Sequence, residues 1–152
     1  MKPYLLLFLL LPIIGFSQSD KISVADISWH LNYDKALEES KEENKNILVY
    51  FTGSDWCAPC KKLKKDFFET VDFKNASEAY ILLYVDIPMN KDLLTSDQLA
   101  HSKALLPRLN KKSVFPLFTV VDSKERQLDK MSGYNMTGEI RYHLEFMEKN
   151  KG

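Results

Sequence analysis

Two short apolar runs restrict the fold of this chain more than any other feature of its sequence. Residues 47–51 read Ile-Leu-Val-Tyr-Phe, and residues 81–85 read Ile-Leu-Leu-Tyr-Val. Neither run alternates between polar and apolar side chains, which is typical of a strand buried on both faces of a sheet. Such a sheet needs helices against both of its faces. The runs therefore predict an α/β fold whose central β-sheet is flanked by helices on both faces.

The segments around these runs supply the helices and the remaining strands. Amphipathic or helix-compatible patterns predict helices over residues 29–44, about 57–70, 91–110 and 137–149. Thr137 is expected to cap the last helix, and Pro107 to kink or end the third. Further strands are predicted over 79–87, 114–121 and 126–131, with a turn at 122–125 and an edge strand or lead-in at 18–28. The closing hairpin makes the predicted sheet a mixed one.

The first seventeen residues predict a cleaved secretory signal. Lys2 precedes an apolar run over residues 4–16, and the small residues Gly15 and Ser17 precede a cut before Gln18. A helix of that length spans roughly 20 Å, which is short of the ~30 Å hydrocarbon core of a bilayer. We therefore expect residues 1–17 to be removed, and the mature protein to be periplasmic or secreted and not membrane-spanning. Such a compartment permits disulfides.

Charge and histidine placement exclude several functions. The chain carries 21 basic and 21 acidic residues, which leaves no basic footprint for binding nucleic acid. His30, His101 and His143 are scattered, without the paired spacing of a metal site. We expect no bound metal and no other cofactor.

The chemistry is predicted at Cys57 and Cys60. Cysteines three residues apart on one helical turn lie within about 5–6 Å, a separation that a disulfide can bridge. Cys57 falls at the predicted helix N-terminus, where the helix dipole and free N–H groups stabilise a thiolate. Cys60 lies one turn further in and is expected to be more shielded. This asymmetry suits thiol–disulfide exchange, with Cys57 as the nucleophile and Cys60 as the resolving thiol.

Two other uses of the cysteine pair stay open at this point. A static disulfide closing so short a loop would stabilise the fold by only about 2 kcal/mol in the chain-entropy model. A zinc or copper site would need further ligands, because zinc takes four. Either use would make the protein a non-catalytic binding module.

The residues around the cysteines resemble the active site of the thioredoxin superfamily. The strand at 47–51 leads to Asp-Trp-Cys-Ala-Pro-Cys-Lys at 55–61, and the Thr-Gly-Ser-Asp-Trp-Cys entry is similar to that of exported bacterial members. The resemblance covers residues 29–150 and implies a thioredoxin-like domain with a redox-active Cys57–Cys60 disulfide. It also implies a cis-proline opposite the disulfide, which is matched by Pro116. Trp56, Phe115 and Pro116 are then expected to form the substrate-binding rim.

The sequence departs from the thioredoxin pattern at two places that concern the chemistry. Tyr50 stands where thioredoxin has a buried aspartate, so the proton acceptor for Cys60 is left open between water, Lys61 and Asp55. Residues 88–106 lengthen the family pattern, and we interpret them as an extended helical segment that shapes substrate access.

The resemblance implies a thiol–disulfide oxidoreductase that acts on protein disulfides or dithiols in the periplasm or cell envelope. The Ala-Pro dipeptide between the two cysteines favours a reductase. The alternative is a disulfide oxidant or isomerase. Electrons would pass by exchange with a partner protein. In an oxidising compartment the expected partner is a membrane-borne electron donor, or an acceptor if the direction is reversed.

Overall fold

The computed structural model describes residues 19–152, so the predicted signal at 1–17 lies outside the described residues. From its N-terminal end the described chain begins with two strands, β1 (Lys21–Val24) and β2 (Ile27–His30), and a helix, α1 (Tyr33–Glu43). The remaining elements are β3 (Asn46–Thr52), α2 (Ala58–Leu63), a π-helical turn (Lys64–Phe68), α3 (Val71–Ser77), β4 (Tyr80–Asp86), a 3₁₀ turn (Lys91–Leu93), α4 (Ser96–Leu109), β5 (Leu117–Val121), β6 (Gln127–Ser132) and α5 (Arg141–Asn150).

Strand β3 lies at the centre of the sheet. Within residues 19–152 the sheet has six strands in the order β1-β2-β4-β3-β5-β6. β3 pairs in parallel with β4 and antiparallel with β5, and each edge of the sheet is formed by an antiparallel hairpin. The register places Tyr50 opposite Tyr84 and Thr52 opposite Asp86. The predicted central mixed sheet is confirmed, and the polar residues that end β3 and β4 lie at the same edge.

Helices cover both faces of this sheet, as predicted. Alternate residues of β3 contribute to different cores, because successive side chains point to opposite faces. One core is largely aromatic and is formed with α2, α3 and α5; it includes Trp29, Tyr50, Phe67, Phe68, Phe73 and Phe118. The other is mostly aliphatic and is formed with α1 and α4; it includes Leu37, Val49, Phe51, Leu105 and Leu109.

Two predicted helix starts are wrong. Trp29 lies in strand β2, and α1 begins at Tyr33 after Asn32, whose side chain accepts a hydrogen bond from the Lys35 N–H. Helix α5 begins at Arg141 instead of residue 137. Thr137 does not cap it, because its hydroxyl donates to Asn135 over 2.8 Å, and the following Gly138 takes a φ of +84°, which interrupts a helix. Pro107 does not end α4, which continues to Leu109.

His143 lies within the aromatic core. Its ring is 5.4–5.7 Å from the rings of Phe67, Tyr134 and Phe118, and its nitrogens have no hydrogen-bond partner among residues 19–152. Burial disfavours the imidazolium and lowers the pKa of His143 from its ordinary value of 6.5 to about 4. The unfolded chain therefore binds a proton more readily than the folded protein between these two pH values.

We expect the protein to lose stability as the pH falls from about 6.5 towards about 4, in part through His143. The shift corresponds to a loss of roughly 2–3 kcal/mol of unfolding free energy between neutral pH and pH ~4.5. Urea unfolding of the parent and of His143→Leu at these two pH values measures the contribution. Other acid-sensitive groups are common to both proteins. An equal loss of stability in parent and variant would show that His143 carries no such effect.

Candidate active site

Cys57 and Cys60 lie at the start of α2, directly after the turn that follows β3. They form a disulfide with an S–S distance of 2.02 Å and a Cα–Cα distance of 5.3 Å. Cys57 is the N-cap of α2, and its sulfur accepts a hydrogen bond from the Cys60 N–H over 3.3 Å. The two residues are 3% and 2% exposed, so the expected difference in shielding is not seen in the oxidised protein.

Trp56 and Phe115 meet beside the disulfide-bearing turn. Their ring centroids are 5.3 Å apart with the planes nearly perpendicular, and Trp56 is 39% exposed. The Trp56 indole Nε1–H donates to the Ile87 carbonyl over 2.8 Å. A Cβ at Gly53 would lie 2.2 Å from the Trp56 indole, so this position has no room for a side chain while the indole lies over the turn.

Pro116 lies at the same end of the sheet as the cysteines. Leu117 pairs with Phe51, which places Pro116 beside the last residue of β3 before the turn to Cys57. The Phe115–Pro116 peptide bond is cis, as the family resemblance implies. The Pro116 carbonyl oxygen accepts a hydrogen bond from the Gly133 N–H over 2.8 Å. The sequence-predicted site residues are therefore gathered at one end of the central strands.

Asp55 and Lys61 hold the active-site turn through hydrogen bonds to backbone groups. The Asp55 carboxylate accepts hydrogen bonds from the N–H groups of Met89 (3.0 Å) and Asn90 (2.7 Å). These bonds, led by that from Asn90, lower the pKa of Asp55. The Lys61 ammonium donates to the Asp55 carbonyl over 2.7 Å. Both side chains are thus engaged in binding the turn to its own backbone and to the loop after β4.

The predicted extension over 88–106 begins in that loop. It comprises the loop itself, the 3₁₀ turn and most of α4. Met89 is 74% exposed and Leu93 is 52% exposed, so the segment presents apolar side chains to solvent. Since Trp56 and Asp55 both bond to residues 87–90, the extension is attached directly to the active-site turn.

A cavity of about 320 Å³ lies next to Cys60. Its wall is mainly polar and aromatic and consists of Tyr50, Thr52, Ser54, Cys60, Lys61, Lys64, Phe68 and Tyr84. Tyr50 is 1% exposed, and its hydroxyl has no hydrogen-bond partner in the described part of the chain. Burial raises the pKa of both Tyr50 and Tyr84. The phenols stay protonated and can donate hydrogen bonds into the cavity.

Asp86 is a buried carboxylate bonded to Ser54 of the cavity wall, and the sequence did not predict it as part of the site. It is 5% exposed, and both of its oxygens accept hydrogen bonds from Ser54, from the N–H over 2.9 Å and from the hydroxyl over 2.5 Å. Burial raises the pKa of Asp86, although the Ser54 bonds oppose the shift. A signal was present in the sequence: Asp86 ends a buried strand parallel to the one that precedes Cys57.

Within residues 19–152, no group of three or more His, Cys, Asp or Glu side chains is placed to hold a metal ion. The same part of the chain contains no helix with the length and apolar character needed to cross a bilayer.

A redox-capable cysteine pair on the helix after the central strand of a mixed sheet, with a cis-proline beside it, defines the class of thioredoxin-fold dithiol–disulfide proteins. Residues 28–123 match the thioredoxin-like family, and the chain belongs to that family. Membership confirms the fold implied by the sequence resemblance.

Individual relatives agree with this class. The chain is 31% identical over 129 residues to the disulfide bond reductase DsbH of Chlamydia pneumoniae, covering 84% of this chain and 75% of the relative. It is 29% identical over 137 residues to the thioredoxin-related protein DsbJ of the same organism, covering 88% of this chain and 38% of that longer relative. A solved DsbH oxidoreductase superposes with a TM-score of 0.72 at 28% identity, over 90% of this chain and 93% of the other. The protein is a thiol–disulfide oxidoreductase.

Proposed function

We propose that the protein reduces disulfides in other proteins, with Cys57 as the nucleophile and Cys60 as the resolving thiol. The observation that carries the proposal is the cysteine pair at the start of α2, where Cys57 takes the N-cap position. A thiolate at that position is stabilised by the N-terminal end of the helix. The direction is supported by the similarity to a relative named as a disulfide bond reductase over most of both chains.

The reaction proceeds by two exchanges. The Cys57 thiolate attacks one sulfur of a client disulfide, forms a mixed disulfide and releases the other client sulfur as a thiolate. The Cys60 thiolate then attacks the Cys57 sulfur, which breaks the mixed disulfide and releases the second client thiolate. Two electrons pass to the client, and the protein is left with the Cys57–Cys60 disulfide. No cofactor takes part in either step.

Trp56, Phe115 and Pro116 form the rim on which the client chain binds. The exposed Trp56 ring against Phe115 gives an apolar contact surface, and the backbone of Phe115 offers hydrogen bonds to an extended client segment. Met89 and Leu93 are exposed apolar side chains on the extension, whose Ile87 carbonyl accepts from Trp56, and we infer that they enlarge the apolar surface of the rim. This arrangement favours clients with an unfolded, apolar stretch next to their disulfide.

A reductase must be re-reduced after each cycle. In an oxidising compartment this requires electrons from a reduced dithiol partner, and a membrane-borne donor can bring them from the cytoplasm. The secretory pattern in residues 1–17 supports a periplasmic or secreted location for the mature protein.

The direction is tested by a redox titration of the Cys57–Cys60 pair in the purified protein, read by thiol alkylation and gel shift. We expect a midpoint near that of thioredoxin, about −270 mV. A midpoint of about −120 mV would instead identify the protein as an oxidant that donates its disulfide to clients. If the pair does not titrate between these limits, or if bound metal blocks its alkylation, the protein is a binding module and not a reductase.

A further inference from the structure

The resolving step requires that Cys60 lose a proton, because the thiolate and not the thiol attacks a disulfide. Cys60 is 2% exposed and lies against a cavity. At about 320 Å³ this cavity has room for several water molecules. The acceptor must therefore lie in this cavity or be connected to it by hydrogen bonds.

Most groups around the cavity are not bases at neutral pH. The hydroxyls of Tyr50 and Tyr84 are protonated donors, because burial raises the pKa of both side chains. Lys61 in α2 and Lys64 in the π-helical turn that follows it also line the cavity; both are exposed, and their ammonium groups are hydrogen-bond donors only. Asp55 points away to the N–H groups of Met89 and Asn90.

Asp86 is the carboxylate that remains connected to the cavity. Ser54 lines the cavity with Cys60, and its hydroxyl donates to the Asp86 carboxylate over 2.5 Å. The Ser54 N–H holds the other carboxylate oxygen over 2.9 Å, which fixes its orientation. Burial and the nearby Asp55 charge both raise the pKa of Asp86 and so make it a better base than an exposed aspartate.

We propose that Asp86 accepts the proton of the Cys60 thiol, relayed through the Ser54 hydroxyl and cavity water. The proposal rests on the proposed function and adds to it the acid–base partner of the resolving step. Asp86 lies on the strand next to the one that carries Tyr50, at the position paired with Thr52. It is therefore a different position in the fold from the buried aspartate that Tyr50 replaces.

The proton and electron transfers balance. The Ser54 hydroxyl gives its proton to the Asp86 carboxylate and receives one, directly or through a water, from the Cys60 thiol. The Cys60 thiolate attacks the Cys57 sulfur; the new Cys57–Cys60 bond forms as the bond from Cys57 to the client sulfur breaks. The client leaves as a thiolate and takes up a proton from solvent, to which Asp86 later returns its own.

The first test separates the two exchange steps. The reduced full chain is mixed with a peptide disulfide, quenched with acid at intervals, and assayed by mass spectrometry for the mixed disulfide across pH ~5–9. In Asp86→Asn we expect the decay of the mixed disulfide to slow roughly 10- to 100-fold at neutral pH and to recover at alkaline pH, as expected when a general base is lost. Formation of the mixed disulfide by Cys57 should change by less than about twofold.

A matched control is available at the opposite end of the sheet. Asp122 is also a buried aspartate that accepts backbone N–H bonds, but it follows β5 at the end away from the cysteines. Asp122→Asn is expected to leave both exchange steps at the parental rates. Ser54→Ala keeps the carboxylate but removes the relay hydroxyl, and it should slow decay in the same direction, which keeps the proposal testable if Asp86→Asn does not fold.

The second test distinguishes a proton acceptor from a structural residue. In a Cys57→Ser background, the Cys60 thiolate is titrated by its ultraviolet absorbance with and without Asp86→Asn. The ionisable groups that act on Asp86 or line the cavity stay in place in both proteins: the Asp55 charge, and the Tyr50, Tyr84, Lys61 and Lys64 side chains of the cavity wall. Removing the nearby negative charge should make Cys60 more acidic. A more acidic thiol that nonetheless resolves more slowly is expected only if Asp86 takes the proton.

Two results would overturn the proposal while leaving the reductase intact: decay of the mixed disulfide in Asp86→Asn at the parental rate across the pH range, or an unchanged titration of Cys60. Failure of the proposed function looks different. A Cys57→Ser protein that still reduces disulfides would remove the two-step mechanism regardless of Asp86.

Discussion

The Cys57→Ser protein is expected to reduce disulfides no faster than the solution without enzyme, because it lacks the thiolate that starts the exchange. Cys60→Ser should instead accumulate mixed disulfides, since its Cys57 still attacks clients and no second thiol releases them. Turbidity from insulin-disulfide reduction measures the first effect. Non-reducing gels of clients bound to the purified protein measure the second.

The Cys57→Ser substitution is expected to preserve the local fold. Cys57 caps α2 by accepting the Cys60 N–H, and serine is among the preferred residues at an N-cap. The loss of activity can therefore be assigned to the missing sulfur once circular dichroism shows an unchanged helix content. If both serine variants reduce insulin at the parental rate, the catalytic assignment of the cysteines is wrong.

Trp29→Ala is expected to destabilise the protein strongly, with a loss of about 3–5 kcal/mol of unfolding free energy. Trp29 is 0% exposed, and its ring lies within 5.2–6.1 Å of those of Tyr50, Phe68, Phe73 and Tyr84. Truncation leaves a cavity in the centre of the aromatic core that these rings cannot close. Equilibrium urea unfolding of parent and variant measures the difference.

The second tryptophan provides the matched control. Trp56 is 39% exposed and contacts Phe115 at the surface, so Trp56→Ala should change the unfolding free energy by less than about 1 kcal/mol. The same variant should bind clients more weakly, because the rim loses its larger aromatic side chain. A stability loss in Trp56→Ala as large as that in Trp29→Ala would contradict this division between core and rim.

The sequence was most informative where burial is complete and contacts are local. Strands β3 and β4 are buried along most of their length, so their unbroken runs of apolar residues are enough to predict them. The cysteine pair and its helix follow within a few residues and were predicted with them. Trp29 was assigned to a helix because β2 is only four residues long and depends on pairing with β1 and β4. Pairing with other strands, one of them distant along the chain, produces no recognisable pattern in the sequence around Trp29.

Asp86 shows why part of the site escaped prediction. Its place beside the cavity depends on the register that aligns Thr52 with Asp86 and on the Ser54 side chain turning back towards β4. Neither the strand register nor the orientation of the Ser54 side chain can be predicted from the sequence around the cysteines. The candidate acceptors close to Cys60 in sequence are Asp55 and Lys61, and in the structure both side chains bond to backbone groups of the turn and the loop after β4.

The two hairpins at the sheet edges bear on how the protein behaves at high concentration. A chain with a formal net charge of zero has little overall repulsion to keep its copies apart. Exposed strands could then pair between molecules, but β1 is only four residues long, and β6 carries Asp129 and Lys130 beside an irregularity in its pairing with β5. Short, charged or bulged outer strands resist edge-to-edge aggregation. We therefore expect the outer strands, and not the net charge, to limit self-association of this protein.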